Sequence, residues 1–246
     1  WTISGDSYQC SKDKDYEIIK SKLLSYIYPN KYYIILNEIT KSSNVDTSKV
    51  TLSGNMTYKQ IAQSIQKAFP ELKVEIETTP DLDVGEFSMG AEFDVDTKKI
   101  ILYPQFSKKT NSINWTDSGV DTFRTLLNDV IKHERLHSKQ FARRNYIDTS
   151  VGIDNRDANY EYMSRPDEIE AYAMNIADEL IRKAGKDGAI DLLRMANKTA
   201  QFKDEMGNLL SPNLLAYLAM WIYDSTHPVL KRLYKKTYQY ITEQTS

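Results

Sequence analysis

The strongest constraint on the fold of this chain is a long amphipathic helix, Asp121 to Arg144, that turns two histidines inward. Phe123, Leu126, Leu127, Val130, His133, His137 and Phe141 recur at alternating three- and four-residue steps, the spacing of a single helical stripe. Lys132, Arg135, Lys139 and Arg143 fall elsewhere around the helix. His133 and His137 lie four apart, so they project from one face and can share a metal ion.

The residues His133-Glu134-Arg135-Leu136-His137 read H-E-x-x-H. In that pattern the two histidines supply nitrogen ligands to Zn2+, and the glutamate accepts a proton from the water that the metal activates for attack on a carbonyl. A catalytic zinc commonly takes three protein ligands plus water, so another ligand is needed. A histidine six residues after His137 would mark the extended H-E-x-x-H-x-x-G-x-x-H form, but Gln140 and Arg143 occupy its Gly and His positions and exclude it. The third histidine, His227, stands far downstream before Pro228, where a helix-boundary role outweighs a ligand or a transition-state donor.

Two carboxylates stand at the start of the next strong helix, which begins near Pro166 and runs through Ile169, Tyr172, Ile176 and Leu180 to a stop around Gly185. They are Glu168 and Glu170, and periodicity does not choose between them because the apolar arc of the helix lies between the two. Asp148, Asp154 and Asp157, in the loop after the histidine helix, offer a further set of oxygen ligands without a helical frame.

The run Glu168-Ile-Glu-Ala171 matches E-x-x-A, and with H-E-x-x-H upstream the chain resembles the gluzincin branch of zinc metallopeptidases. The resemblance implies that His133, His137 and Glu168 bind one zinc ion, with Glu134 as general base and acid. It extends from a hairpin at Ala91 to the helix end near Ala184, and compact proteins of this pattern occur in bacteria and their phages. Many relatives place Asp directly after E-x-x-A to orient a zinc-bound histidine; here the residue is Tyr172, which leaves Asp121, Asp178 or a backbone carbonyl for that task. An oxyanion formed during peptide hydrolysis calls for a phenol or imidazole donor, and Tyr160, Tyr162 and His227 are the candidates.

Elsewhere the pattern is mixed. A short amphipathic helix is expected from Tyr16, a strand over Tyr32 to Leu36, and a polar connection from Thr40 to Ser48 that makes the best boundary. Tyr58, Ile61, Ile65 and Phe69 predict a helix closed by Pro70, and Leu72 to Glu77 alternates as a strand. Ala91 to Val95 and Ile100 to Tyr103, separated by polar residues from Asp96, predict a hairpin whose edge could receive an extended peptide as an extra strand. Helices are expected over Ile190 to Ala200, Pro212 to Tyr223 and Pro228 to Glu243.

These elements predict an α+β fold, and the resemblance implies that it is zincin-like: a small sheet packed on the H-E-x-x-H helix, with a mainly helical C-terminal part. Residues 1–50 are expected to be an N-terminal segment with no assigned role, and residues 51–246 the catalytic domain with its helical C-terminal part. Charge adds little, since 32 basic and 34 acidic residues give a net −2 and no general attraction to nucleic acid or acidic membrane. Cys10 is the one cysteine, so neither a disulfide framework nor a cysteine metal site is available.

No run approaches the roughly 20 apolar residues needed to span a bilayer. The chain therefore reads as soluble, in a secreted, cytoplasmic or virion-associated setting, and its start at Trp1 suits a processed form or a fragment. The expected activity is zinc-dependent hydrolysis of a peptide or protein. The competing expectation is a non-catalytic structural or interaction protein that keeps the zincin fold, with the basic face Lys231, Arg232, Lys235 and Lys236 as a binding surface.

Overall fold

The computed structural model describes residues 45–198 and 210–243. The helix expected from Tyr16, the strand expected over Tyr32 to Leu36 and most of the 1–50 segment lie outside them. The described residues form two compact units, one over 45–175 and one from 176 onward.

In the first unit a single helical turn, Thr47–Lys49, leads into strand β1, Gly54–Thr57. Helix α1, Tyr58–Ala68, starts at Thr57 because that residue builds a reciprocal cap: its hydroxyl accepts from the Gln60 N–H at 3.3 Å, and the Gln60 side chain accepts from the Thr57 N–H at 2.8 Å. The face carrying Tyr58, Ile61 and Ile65 is buried, as the periodicity predicts. Tyr58 stacks on Phe106 at 4.4 Å, and its hydroxyl donates to the Ser107 carbonyl.

The strand expected over Leu72 to Glu77 divides into β2, Lys73–Val74, and β3, Glu77–Thr79. Both run parallel to β5, Lys99–Ser107, which is the centre of the sheet. Strand β4, Phe87–Asp94, takes the other edge of β5 in antiparallel register, from Phe87 opposite Phe106 to Asp94 opposite Lys99. This is the expected hairpin, longer than its apolar segments alone suggest. The Asp94 carboxylate organises its turn by accepting from the backbone N–H groups of Asp96 and Thr97 and from the Thr97 hydroxyl. A separate two-stranded ribbon pairs β1 with β6, Ser112–Trp115.

Helix α2, Asp117–Arg143, follows β6 and is capped by the Thr116 hydroxyl, which accepts from the Gly119 N–H. Its buried residues are Phe123, Leu127, Asp129, Ile131, His133, Glu134, His137 and Gln140. The apolar half locks onto the sheet through edge contacts of Phe123 with Phe87 and Trp115, and Phe141 meets Phe93 of β4 near the other end. The polar half is buried as well, and the site is there.

Two more helices complete this part of the chain: α3, Ala158–Met163, and α4, Pro166–Lys198, which begins at the expected Pro166 and continues into the second unit. Gly185 interrupts α4 with φ of 67°, a conformation that glycine adopts at little cost, and this coincides with the expected stop. Beyond it the second unit contains α5, Pro212–Met220, and α6, Pro228–Glu243. Its core includes Leu214, Tyr217, Leu230, Leu233 and Ile241. The whole is a mixed structure of a small sheet and several helices, compatible with the α+β expectation. No helix among the described residues is long and apolar enough to cross a membrane.

Candidate metal centre

Helix α2 brings His133 and His137 into one buried patch with ring centroids 4.7 Å apart. The first turn of α4 brings Glu168 to them. Its Oε2 lies 3.6 Å from His133 Nε2, and its Oε1 lies 3.3 Å from His137 Nε2. The three residues are 8%, 7% and 6% exposed, and one ligand atom from each falls within 4.8 Å of the others. Glu170, the competing carboxylate, is directed elsewhere, with Oε2 accepting from Gln140 Nε2 at 3.2 Å.

The donor set fits a divalent metal ion. His137 Nε2 and Glu168 Oε2 are fully buried atoms without a hydrogen-bond partner among the described residues. Two imidazole nitrogens and one carboxylate oxygen converge here within reach of one another, a donor set of the kind that binds a divalent cation such as zinc. His133, His137 and Glu168 therefore form a group that could hold a metal ion.

Charge in the patch is strongly coupled. Burial opposes ionisation of Glu168, but the facing histidines prevail and hold its pKa down to about 2. Burial likewise opposes a charge on His137, yet the Glu168 carboxylate lifts it to about 9. Glu134 is buried beside the histidines, and burial raises its pKa despite the hydrogen bond its carboxylate takes from the backbone N–H of Phe93.

The surrounding residues separate the other candidates. The Tyr162 ring is 45% exposed, but its hydroxyl is directed at the Glu168 carboxylate; burial, with Glu168 and Tyr172 nearby, raises its pKa. Tyr160 instead lies beneath the Arg156 guanidinium at 3.7 Å. His227 belongs to the second unit, where its Nδ1 accepts from the Val229 N–H at the start of α6, consistent with the helix-boundary role. Asp154 is clamped by Arg156, Asp157 caps α3 through the Asn159 and Tyr160 N–H groups, and Asp148 faces Arg165 at 3.7 Å. None of the three aspartates joins the histidines.

Sequence reasoning left the support of the histidines unassigned, and two carboxamides provide it. Gln140 Oε1 lies 2.9 Å from His137 Nδ1, and Asn175 Nδ2 lies 3.4 Å from His133 Nδ1. Asn175 Oδ1 is buried without a partner among the described residues, so rotating the amide would set that oxygen against a protonated Nδ1 and satisfy both groups. Asp121 is exposed, and Asp178 is buried one turn beyond Asn175. Tyr172 supports His133 by ring contact, edge-on at 4.9 Å. An Asn three residues after Tyr172 and a Gln three after His137 were the available signals, but neither carries a charge that marks it. Comparison with protein families, curated proteins and solved structures finds no match for this chain.

Proposed function

We propose that this chain is a zinc-dependent metallopeptidase with a zincin-like catalytic unit. The observation that supports the reading most is the convergence of Glu168 with both histidines of H-E-x-x-H, the donor set of a two-histidine, one-glutamate catalytic zinc site. Bound there, zinc would polarise a scissile carbonyl and lower the pKa of water. Glu134, adjacent to the ligands and held by the Phe93 N–H, takes the proton from the attacking water and returns it to the leaving amine. Tyr162, with its hydroxyl at the edge of the centre, donates to the developing oxyanion.

The sheet edge supports a peptide as substrate. Among the described residues β4 pairs with β5 alone, and the Phe93 N–H turns away from β5 to reach Glu134. In an antiparallel strand alternate residues present N–H and C=O to the same side, so Met89 and Ala91 offer theirs to the same open edge. An extended peptide pairing there would pass beside Glu134. The reading is tested by comparing wild type with Glu134→Gln on a peptide library. Cleavage by wild type alone, with zinc retained in both, is expected; undiminished cleavage by the variant contradicts the mechanism.

A further inference from the structure

The geometry points to Gln140 and Glu170 as a hydrogen-bonded pair that positions His137 for metal binding, with Glu170 acting through Gln140 and not as a ligand. This inference rests on reading His133, His137 and Glu168 as a metal centre.

The Asp167 backbone carbonyl can only accept hydrogen bonds, and the Gln140 carboxamide faces it at 3.4 Å. The atom turned to it must therefore be the amide nitrogen, and the same nitrogen faces Glu170 Oε2 at 3.2 Å. Both acceptors belong to α4. Two acceptors on one side fix which way the carboxamide points, and an inverted assignment would place its oxygen against both. Oε1 is consequently the atom 2.9 Å from His137 Nδ1, and Nδ1 must carry a proton to meet it. A neutral imidazole protonated at Nδ1 has its lone pair on Nε2, the atom that faces Glu168 Oε1 at 3.3 Å.

The chain of contacts thus runs from α4 to α2 and back into the centre. Glu170 and Asp167 hold Gln140, Gln140 holds the His137 ring and selects its tautomer, and His137 presents a ligand nitrogen opposite Glu168. Gln140 is 5% exposed, so water does not readily replace its contacts. The arrangement also gives the two neighbouring glutamates different tasks: Glu168 enters the centre, and Glu170 anchors the amide that orients a ligand.

Residues that orient a metal-bound histidine typically change metal affinity by about 10- to 100-fold when removed. The test is the zinc dissociation constant of the full chain, measured by competition with a chromophoric chelator, together with thermal unfolding of the metal-free protein. Gln140→Met keeps the side-chain volume and removes both contacts; it should weaken zinc binding by about 10- to 100-fold. Glu170→Leu, on the other helix, should weaken it in the same direction while leaving Gln140 in place, and carries the test if Gln140→Met fails to fold. Glu170→Gln still offers an acceptor oxygen and should retain affinity within about threefold, whereas a glutamate ligand would not tolerate that change. Wild-type affinity in both Gln140→Met and Glu170→Leu would overturn the positioning role and leave the metal centre standing. Equal loss in Glu170→Gln and Glu170→Leu would overturn the hydrogen-bond chain. Absence of zinc binding by wild type would overturn the metal centre and this inference with it.

Discussion

Glu168 Oε1 stands 3.3 Å from His137 Nε2, joining two helices through residues thirty-one positions apart in sequence. That pairing makes the metal-free patch a buried ion pair. With His137 lifted to about 9 and Glu168 held at about 2, both groups are charged at neutral pH, and Glu168 is held down by His133 as well as by His137. A metal ion must displace the proton on His137 Nε2. Calorimetry at pH 7 in buffers of different ionisation enthalpy should therefore show release of about one proton per zinc bound, declining as pH rises past 9. Proton release near zero at pH 7 would contradict the pairing.

The same pair sets a pH window for the metal-free protein. His137 has a raised pKa, so its contribution to stability is complete below the unfolded value of about 6.5 and lost as pH rises through about 9. Glu168 has a lowered pKa, so its contribution is present above 4.5 and lost as pH falls toward 2. Thermal unfolding in chelator should show the pair contributing most between those limits, with the contribution abolished in Glu168→Gln.

Tyr162→Phe removes the hydroxyl directed at Glu168 and leaves the ring. If that hydroxyl serves the oxyanion, kcat should fall by about 10²- to 10³-fold with KM little changed. Zinc affinity should stay within a few-fold of wild type. Tyr160→Phe, whose ring lies under Arg156, should not reduce kcat comparably.

Gly152 tests the loop between α2 and α3. A Cβ there would come within 2.0 Å of the Glu161 carbonyl oxygen and 2.6 Å of Ser164 Oγ, so the loop must move to admit any side chain. Gly152→Ala should cost about 1–3 kcal/mol in unfolding free energy, the usual scale of overpacking, read from chemical denaturation.

Much of this arrangement was legible in the residues, for identifiable reasons. The α2 stripe is long enough for its period to show, although the helix begins at Asp117 and not Asp121, because Ser118 and Gly119 carry no apolar signal. The hairpin showed because Asp94 and the polar residues after Val95 separate two apolar runs. Pairing of β1 with β6 did not show: Gly54 and Trp115 are partners only through a long-range contact, and strands of four residues, mostly exposed in β1, have little pattern of their own. The six residues of α3 are too few for periodicity, though Asp157 was a readable cap. At the site, motif spacing marked His133, Glu134 and His137, while Glu168 was favoured over Glu170 by the E-x-x-A resemblance and not by periodicity. Gln140 and Asn175 act as neutral hydrogen-bonding groups, so their roles emerge only once α2 and α4 are placed together.

The most direct test of the central claim is the zinc content of the purified full chain and of Glu168→Ala, measured by elemental analysis after removal of loosely bound metal. The account predicts about one zinc per wild-type chain and near-complete loss in the variant, with His133→Ala behaving alike. Metal-free wild type, or a Glu168→Ala protein that keeps its zinc, would contradict it.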